Sequence, residues 1–375
     1  MIIGVLREGG SENRVALLPQ NISKLVEKNI TVLIESDAGN SSCASNEEYV
    51  DVGAAIQTKE YILKNSDLVL KINPPADDEI PEGKVMVAIL NPLTNTDLVK
   101  KLAESNVTAF SLDMIPRSTR AQAVDILSSM ATIAGYKAVL VAASKLPNFF
   151  PMFMSASGTI RPSKVLVLGA GVAGLQALAT AKKLGAVVEV FDVRSAVKEE
   201  VMSLGGKFIE VEGAAEDSSA GGYAVEQSEE YKKKQQELIQ EHAKKSNVII
   251  CTAQIPGRKA PLLIPKETVE AMEPGSVIID MAAGSGGNCE LTKKDETVFH
   301  NQVRIIGNSN FPSRLPADAS KMLGNNFINF LNLIIDEEGN LNLNFEDEIV
   351  SATCMTRDKE IVNERVKEII HYESE

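Results

Sequence analysis

Cysteine and histidine are scarce. Four cysteines (Cys43, Cys251, Cys289, Cys354) stand far apart with no C-x-x-C pair, and three histidines (His242, His300, His371) share no ligand spacing with them. That argues against a zinc site, so no metal is expected, and free thiols suit a reducing cytosol. Positive charge is also in short supply: 38 Lys and Arg against 51 Asp and Glu give a formal net charge of −13. A nucleic-acid surface needs the opposite balance. No basic segment followed by a long apolar one opens the sequence, so no leader peptide is expected. The most apolar window, 165–181, is interrupted by three glycines and a glutamine, so no membrane insertion is expected either. The length of 375 residues suggests roughly two domains of ~100 to 200 residues, each large enough for its own core.

What is present is one organised stretch, Lys164 to Arg194, reading KVLVLGAGVAGLQALATAKKLGAVVEVFDVR. A β-branched apolar run, Lys164 to Leu168, ends in Gly169-Ala170-Gly171-Val172-Ala173-Gly174, and an Ala/Leu-rich segment of helical spacing follows to Leu184. In the order strand, turn, helix, the three glycines match G-x-G-x-x-G. The first permits the turn, the second lets a pyrophosphate approach the backbone, and the third lets helix pack on strand. The helix N-terminus then offers unpaired N–H groups and partial positive charge to phosphate. A turn that only packs a helix on a sheet would show the same glycines. The next strand, Val187 to Phe191, adds a condition by ending in Asp192-Val193-Arg194, with Asp192 18 residues beyond Gly174. An acid about 20 residues on holds a ribose 2′-hydroxyl and repels a 2′-phosphate, which predicts NAD(H). Arg194 is the residue type that can accept a 2′-phosphate, but Asp192 stands first.

The remaining pattern alternates strands and helices, which means parallel sheets with crossovers. Apolar runs at 1–6, 31–34, 67–72, 85–90 and 107–110 form a first α/β unit whose strand ends offer Lys71 and Asn91 to a cleft. Pro116 to Ser128 is the polar entry to a long helix reaching about Lys145, and 148–162 reads as a connecting loop. In the second unit, Gly213 to Gly222 reads as a mobile loop closed by Tyr223, and Ala282 to Asn288 as a glycine-rich turn on the ligand side of the sheet. An apolar helix through about Ile335 should return the chain to the first unit. Asn340 to Phe345 alternates as an edge strand or hairpin would, and 359–372 reads as a charged terminal helix. The expected fold is α/β: two Rossmann-like parallel-sheet domains separated by a cleft and joined by long helices. The first spans 1–127 plus 316–375, and the second 128–315.

Several blocks together resemble the alanine dehydrogenase and proton-translocating nicotinamide nucleotide transhydrogenase superfamily. They are Arg14-Val15-Ala16, LVLKINPP around Lys71, TRAQAVDILSS at 119–129, LGAGVAGLQA, FDVRSAVKEE, SAGGYA, PGSVIIDMAAGSGGNCE and NFPSRLPADAS. The block TRAQAVDILSS with SAGGYA is similar to the transhydrogenase branch, namely its soluble NAD(H)-binding component. The resemblance implies that Arg117, Gln122, Asp125 and Ser128 orient the nicotinamide and its ribose, and that Tyr223 lies on a loop closing over the nucleotide. It further implies a homodimer, membrane-embedded partner subunits, NADP(H) on a partner domain, and a cytoplasmic position peripheral to the membrane.

Alanine dehydrogenases carry a histidine where this chain has Asn91 and an aspartate where it has Gly284. Reductive amination moves protons and needs such groups; hydride transfer between two nicotinamides does not. Transhydrogenases more often carry an acid at the turn too, so Gly284 departs from both branches. Arg14 and Lys71 resemble the carboxylate-binding pair of the dehydrogenases. A free-standing amino-acid dehydrogenase and a non-catalytic NAD(H)-sensing module are the alternative readings.

Overall fold

The computed structural model describes residues 1–210, 229–255 and 257–374. The chain divides into two compact units, Met1–Met130 with Ser313–Glu375 and Ala131–Pro312. The boundary falls inside helix Ile126–Lys145.

In chain order the first unit contributes β1 (Ile2–Val5), β2 (Thr31–Glu35), β3 (Ala55–Gln57), β4 (Leu68–Leu70), β5 (Val85–Ala88) and β6 (Thr108–Ser111). The second contributes β7 (Phe153–Ser155), β8 (Gly158–Ile160), β9 (Lys164–Leu168), β10 (Val187–Phe191), β11 (Lys207–Ile209), β12 (Val248–Cys251), β13 (Val277–Asp280), β14 (Thr297–His300) and β15 (Val303–Gly307). The chain then returns to the first unit with β16 (Cys354–Arg357) and β17 (Glu360–Ile361).

Both main sheets are doubly wound. The first has the order β17-β16-β6-β5-β4-β1-β2-β3, with β1 to β6 parallel. The second runs β11-β10-β9-β12-β13-β15-β14, parallel except for the edge strand β14. Each therefore reverses strand order at one point, between β1 and β4 in the first and between β9 and β12 in the second. Ligands of such sheets bind beyond the carboxyl ends of the strands at that reversal.

The apolar runs are continuous because these strands are covered on both faces. In β9, Val165 and Val167 pack with Ala138 and Ala142 of helix Ile126–Lys145 and Ala177, Leu178 and Ala181 of helix Val172–Lys183. Leu166 and Leu168 point the other way, to Ile239, Ala243 and Val269. Helix Ile126–Lys145 has a mean hydropathy of 1.6, enough by length and composition to cross a membrane. Packing against β9 accounts for the apolar character of its second half. In the first unit, helix Pro316–Ile334 closes on the N-terminal segment, where Ser320 Oγ accepts the Val15 N–H (2.9 Å). The four cysteines are free; Cys43 is exposed and the others are buried.

Three expectations need correction. Residues 148–162 contain the antiparallel hairpin β7-β8, turned at Gly158 with φ +127° and carrying Phe153 stacked on Phe149 (5.4 Å). Asn340 to Phe345 forms no edge strand, but Leu341 bridges Ile335 antiparallel, with the Asp336 N–H on the Asn340 carbonyl and the Asn342 N–H on the Ile334 carbonyl, so the hairpin alternative holds at its start. Phe345 stacks on Phe110 (6.4 Å), with Arg357 4.1 Å above its ring. The terminal helix begins only at Glu364, because β16 extends the first sheet antiparallel to β6 and turns back as β17.

Candidate nucleotide site

The second sheet's reversal point is built around the glycine turn. Gly169 leaves β9 with φ +102°, and a Cβ there would stand 2.6 Å from Thr252 Oγ1. A Cβ on Gly174 would fall 1.8 Å from the Gly169 carbonyl oxygen, so this glycine lets helix Val172–Lys183 start directly against the strand end. Gly171, the helix N-cap, differs: among the described residues a Cβ there would meet nothing within 4 Å, and no side chain caps the helix. Open space before uncapped N–H groups is what a pyrophosphate requires. Ala170, Val172 and Ala173 complete the turn; Ala170 is buried and Val172 is 43% exposed.

Asp192 ends β10 beside this turn, nearly buried. Its Oδ2 accepts the Ala170 N–H (2.7 Å), and its Oδ1 accepts the Arg194 backbone N–H (2.9 Å). The Arg194 guanidinium folds back on the same carboxylate, Nε to Oδ1 at 2.8 Å and Nη2 to Oδ2 at 2.7 Å. Hydrogen bonding to Asp192 raises the Arg194 pKa. Val193, between them, packs partly buried on the core face that holds Leu166 and Leu168.

Thr252, Asp280 and Asn288 support these loops; Thr252 and Asp280 are not among the expected site residues, and Asn288 ends the glycine-rich turn expected on the ligand side. Thr252 Oγ1 donates toward the carbonyls of Leu168 (3.1 Å) and Gly169 (3.0 Å). Asp280, fully buried at the end of β13, accepts N–H groups from Ala282, Asn288 and Cys289 and the Thr292 hydroxyl. Asn288, also fully buried, bonds Ala253 through both its donor and its acceptor and donates to the Pro261 carbonyl. An acid ending an apolar strand and an Asn eight residues later were the available signals. Gly284 is exposed, and a Cβ there would meet only Ser309 Cβ at 3.4 Å.

In the first unit, Asp125 ends the 3-10 turn Thr119–Val124 and caps helix Ile126–Lys145, accepting the Ser128 N–H (2.9 Å) and Oγ–H (2.5 Å). Arg117 and Gln122 are exposed. The turn is held by Asn326 and Asn329, each donating to the Ala123 carbonyl (3.0 and 2.9 Å), and by an Arg120–Asp347 ion pair. Tyr223 and the loop 213–222 lie outside the described residues.

The reversal point of the first sheet carries paired charges. Lys71 does not project into open space as the strand-end reading expects. It is buried, with Nζ 3.6 Å from Glu8 and 3.3 Å from Glu79. Glu8 in turn accepts the backbone N–H groups of Ile72 (2.6 Å) and Asn73 (3.2 Å); burial raises its pKa against the pull of Lys71. Arg14 is bound through Nε and Nη2 to Glu12. Glu8, Glu12 and Arg14 line a polar cavity of about 490 Å³ with Arg7, Asp37 and Asn40. Asn91 is exposed, with φ +51°.

Comparison with known proteins follows the same two-unit division. The family model "Alanine dehydrogenase/PNT, N-terminal domain" matches residues 4–134, and the corresponding C-terminal domain matches 138–364. The chain is 44% identical to NAD(P) transhydrogenase subunit alpha of Haemophilus influenzae, covering 96% of this chain and 71% of that protein. It is 45% identical to an NAD(P) transhydrogenase subunit alpha polypeptide of Rhodospirillum rubrum, covering 94% of this chain and 95% of that one. The crystal structure of transhydrogenase from Sinorhizobium meliloti superposes with a TM-score of 0.89 at 40% identity, over 96% of this chain and all of that one. On these matches and on a fold of two doubly wound sheets, the chain belongs to the alanine dehydrogenase/PNT family.

Proposed function

We propose that this chain is the NAD(H)-binding catalytic component of a proton-translocating NAD(P) transhydrogenase. It would hold NADH at Gly169 to Gly174 and pass a hydride to NADP⁺ on a partner subunit. Family membership carries nicotinamide-nucleotide binding, and the relatives named as transhydrogenase alpha subunits support the activity.

In this reading the uncapped N–H groups after Gly171 receive the pyrophosphate, and Asp192 bonds the adenosine ribose and excludes a 2′-phosphate. Val193 and Arg194 flank that ribose. Arg117, Gln122, Asp125 and Ser128 act on the nicotinamide and its ribose, supplying the donors and acceptors a carboxamide needs. Bound NADH supplies the hydride. The chain's own task is to orient the nucleotide and exclude water.

The observation that carries this reading is the lack of proton-handling side chains on two turns. Neither 91–95 after β5 nor 281–288 after β13 contains a titratable residue. Asp280, next to the second turn, is fully buried and committed to four hydrogen bonds. An amino-acid dehydrogenase needs an acid or base where this chain has Asn91 and Gly284. The NAD⁺/NADH and NADP⁺/NADPH couples differ little in potential, so useful direction must come from proton movement through membrane-embedded partners. The chain would then sit at the cytoplasmic membrane face through those partners, as a homodimer.

Reconstitution tests this. NADPH should form from NADH and NADP⁺ only when an NADP(H)-binding partner is added, with no pyruvate- or alanine-dependent turnover by the chain alone. Alanine-dependent turnover would establish the dehydrogenase. Tight NADH binding without hydride transfer to the partner would establish a sensing module.

A further inference from the structure

The arrangement at the end of β10 bears on cofactor choice, given the reading of the glycine turn as an NAD(H) site. Asp192 alone explains rejection of a 2′-phosphate by repulsion. Yet the next side chain but one is an arginine, and its guanidinium forms a bidentate pair with this carboxylate, Nε on Oδ1 and Nη2 on Oδ2. A guanidinium is also the group that grips a phosphate bidentately. It stands where dinucleotide-binding folds place the arginine that accepts a 2′-phosphate.

We infer that Asp192 selects NAD(H) in two ways, by repelling a 2′-phosphate and by sequestering Arg194, a latent 2′-phosphate ligand. Arg194 is then a specificity-determining residue whose effect is masked by its neighbour. The carboxylate also fixes the glycine turn through the Ala170 N–H, so truncating it would mix a specificity effect with a loss of turn geometry. Asp192→Asn separates them, because an amide oxygen can still accept from Ala170 while the Asp192 half of the bidentate ion pair loses its charge.

The test uses the full chain and measures Kd for NADH, NADPH and adenosine 2′-monophosphate. Asp192→Asn should tighten NADPH and the monophosphate by roughly tenfold or more, the scale of one charged hydrogen bond freed for a ligand. The gain should shrink at high salt. Asp192→Asn combined with Arg194→Ala should lose the gain. Asp192→Ser carries the same expectation if Asp192→Asn alters thermal stability. No gain in either single variant, or a gain that persists without Arg194, would overturn the inference while leaving the NAD(H) site standing. If NADH fails to bind the unsubstituted chain, or binds without regard to Gly171→Ala, the reading of the turn itself fails.

Discussion

The two sheets share a strand order and differ in what stands at their reversal points. In the second, β9 ends in a glycine turn held by Thr252, the residue that follows β12, with open space at Gly171 among the described residues. In the first, β1 and β4 end in Glu8 and Lys71, buried against each other and bonded to local backbone. One topology thus provides the same crevice twice, and the side chains beyond the strand ends decide its use. Backbone N–H groups left free make an anion site. Charges already paired offer a ligand little unless it can displace a partner.

Substitutions at the two points should separate cleanly. Lys71→Met removes one partner of a buried cluster and should cost roughly 3–5 kcal/mol of stability in denaturant unfolding. NADH affinity should not change. A large loss of affinity with no loss of stability would reverse the roles assigned to the two sheets. Gly174→Ala drives a Cβ into the Gly169 carbonyl and should cost about 3 kcal/mol while abolishing NADH binding. The sharpest contrast is Gly171→Ala. Among the described residues no atom lies within 4 Å of the added Cβ, so stability should stay within about 0.5 kcal/mol. NADH affinity should nevertheless fall by roughly tenfold, read by calorimetric titration, because the methyl occupies space meant for pyrophosphate. Unchanged affinity would remove the phosphate from this turn.

The second sheet's core was the most legible stretch of the sequence. β9, β10 and β13 are short apolar runs bounded by glycine or an acid, β12 is a β-branched run of similar length, and burial on both faces leaves them little other sequence to adopt. The edges were harder to read. β14 (TVFH) alternates half-buried with exposed residues, and β16 and β17 are defined by pairing with β6 and with each other, the former across a long sequence separation. Asn340 to Phe345 misled for the opposite reason. Its period-two burial is real, but pairing stops at the Ile335–Leu341 bridge, and Phe345 packs on Phe110 and under Arg357 instead of in an edge strand.

At the proposed site, the turn made by the glycines was legible because Gly169 and Gly174 answer backbone requirements at fixed spacing, and the ribose role proposed for Asp192 rests on spacing in the same way. The bidentate grip of Arg194 on Asp192, and the struts Thr252, Asp280 and Asn288, depend on loops meeting in space. Only a fraction of that is encoded locally. Lys71 shows the limit from the other side: a lysine at a strand end reads as a ligand until Glu8 and Glu79 are found beside it.

The central claim is direct transfer of hydride from a nucleotide held by this chain, with no proton-handling group taking part. It is tested by following deuterium from NADH labelled on the transferring face of C4, in the presence of NADP⁺ and an NADP(H)-binding partner. Label should be recovered in NADPH with none lost to water. Label appearing in solvent, or in alanine when pyruvate and ammonium are supplied to the chain alone, would contradict it.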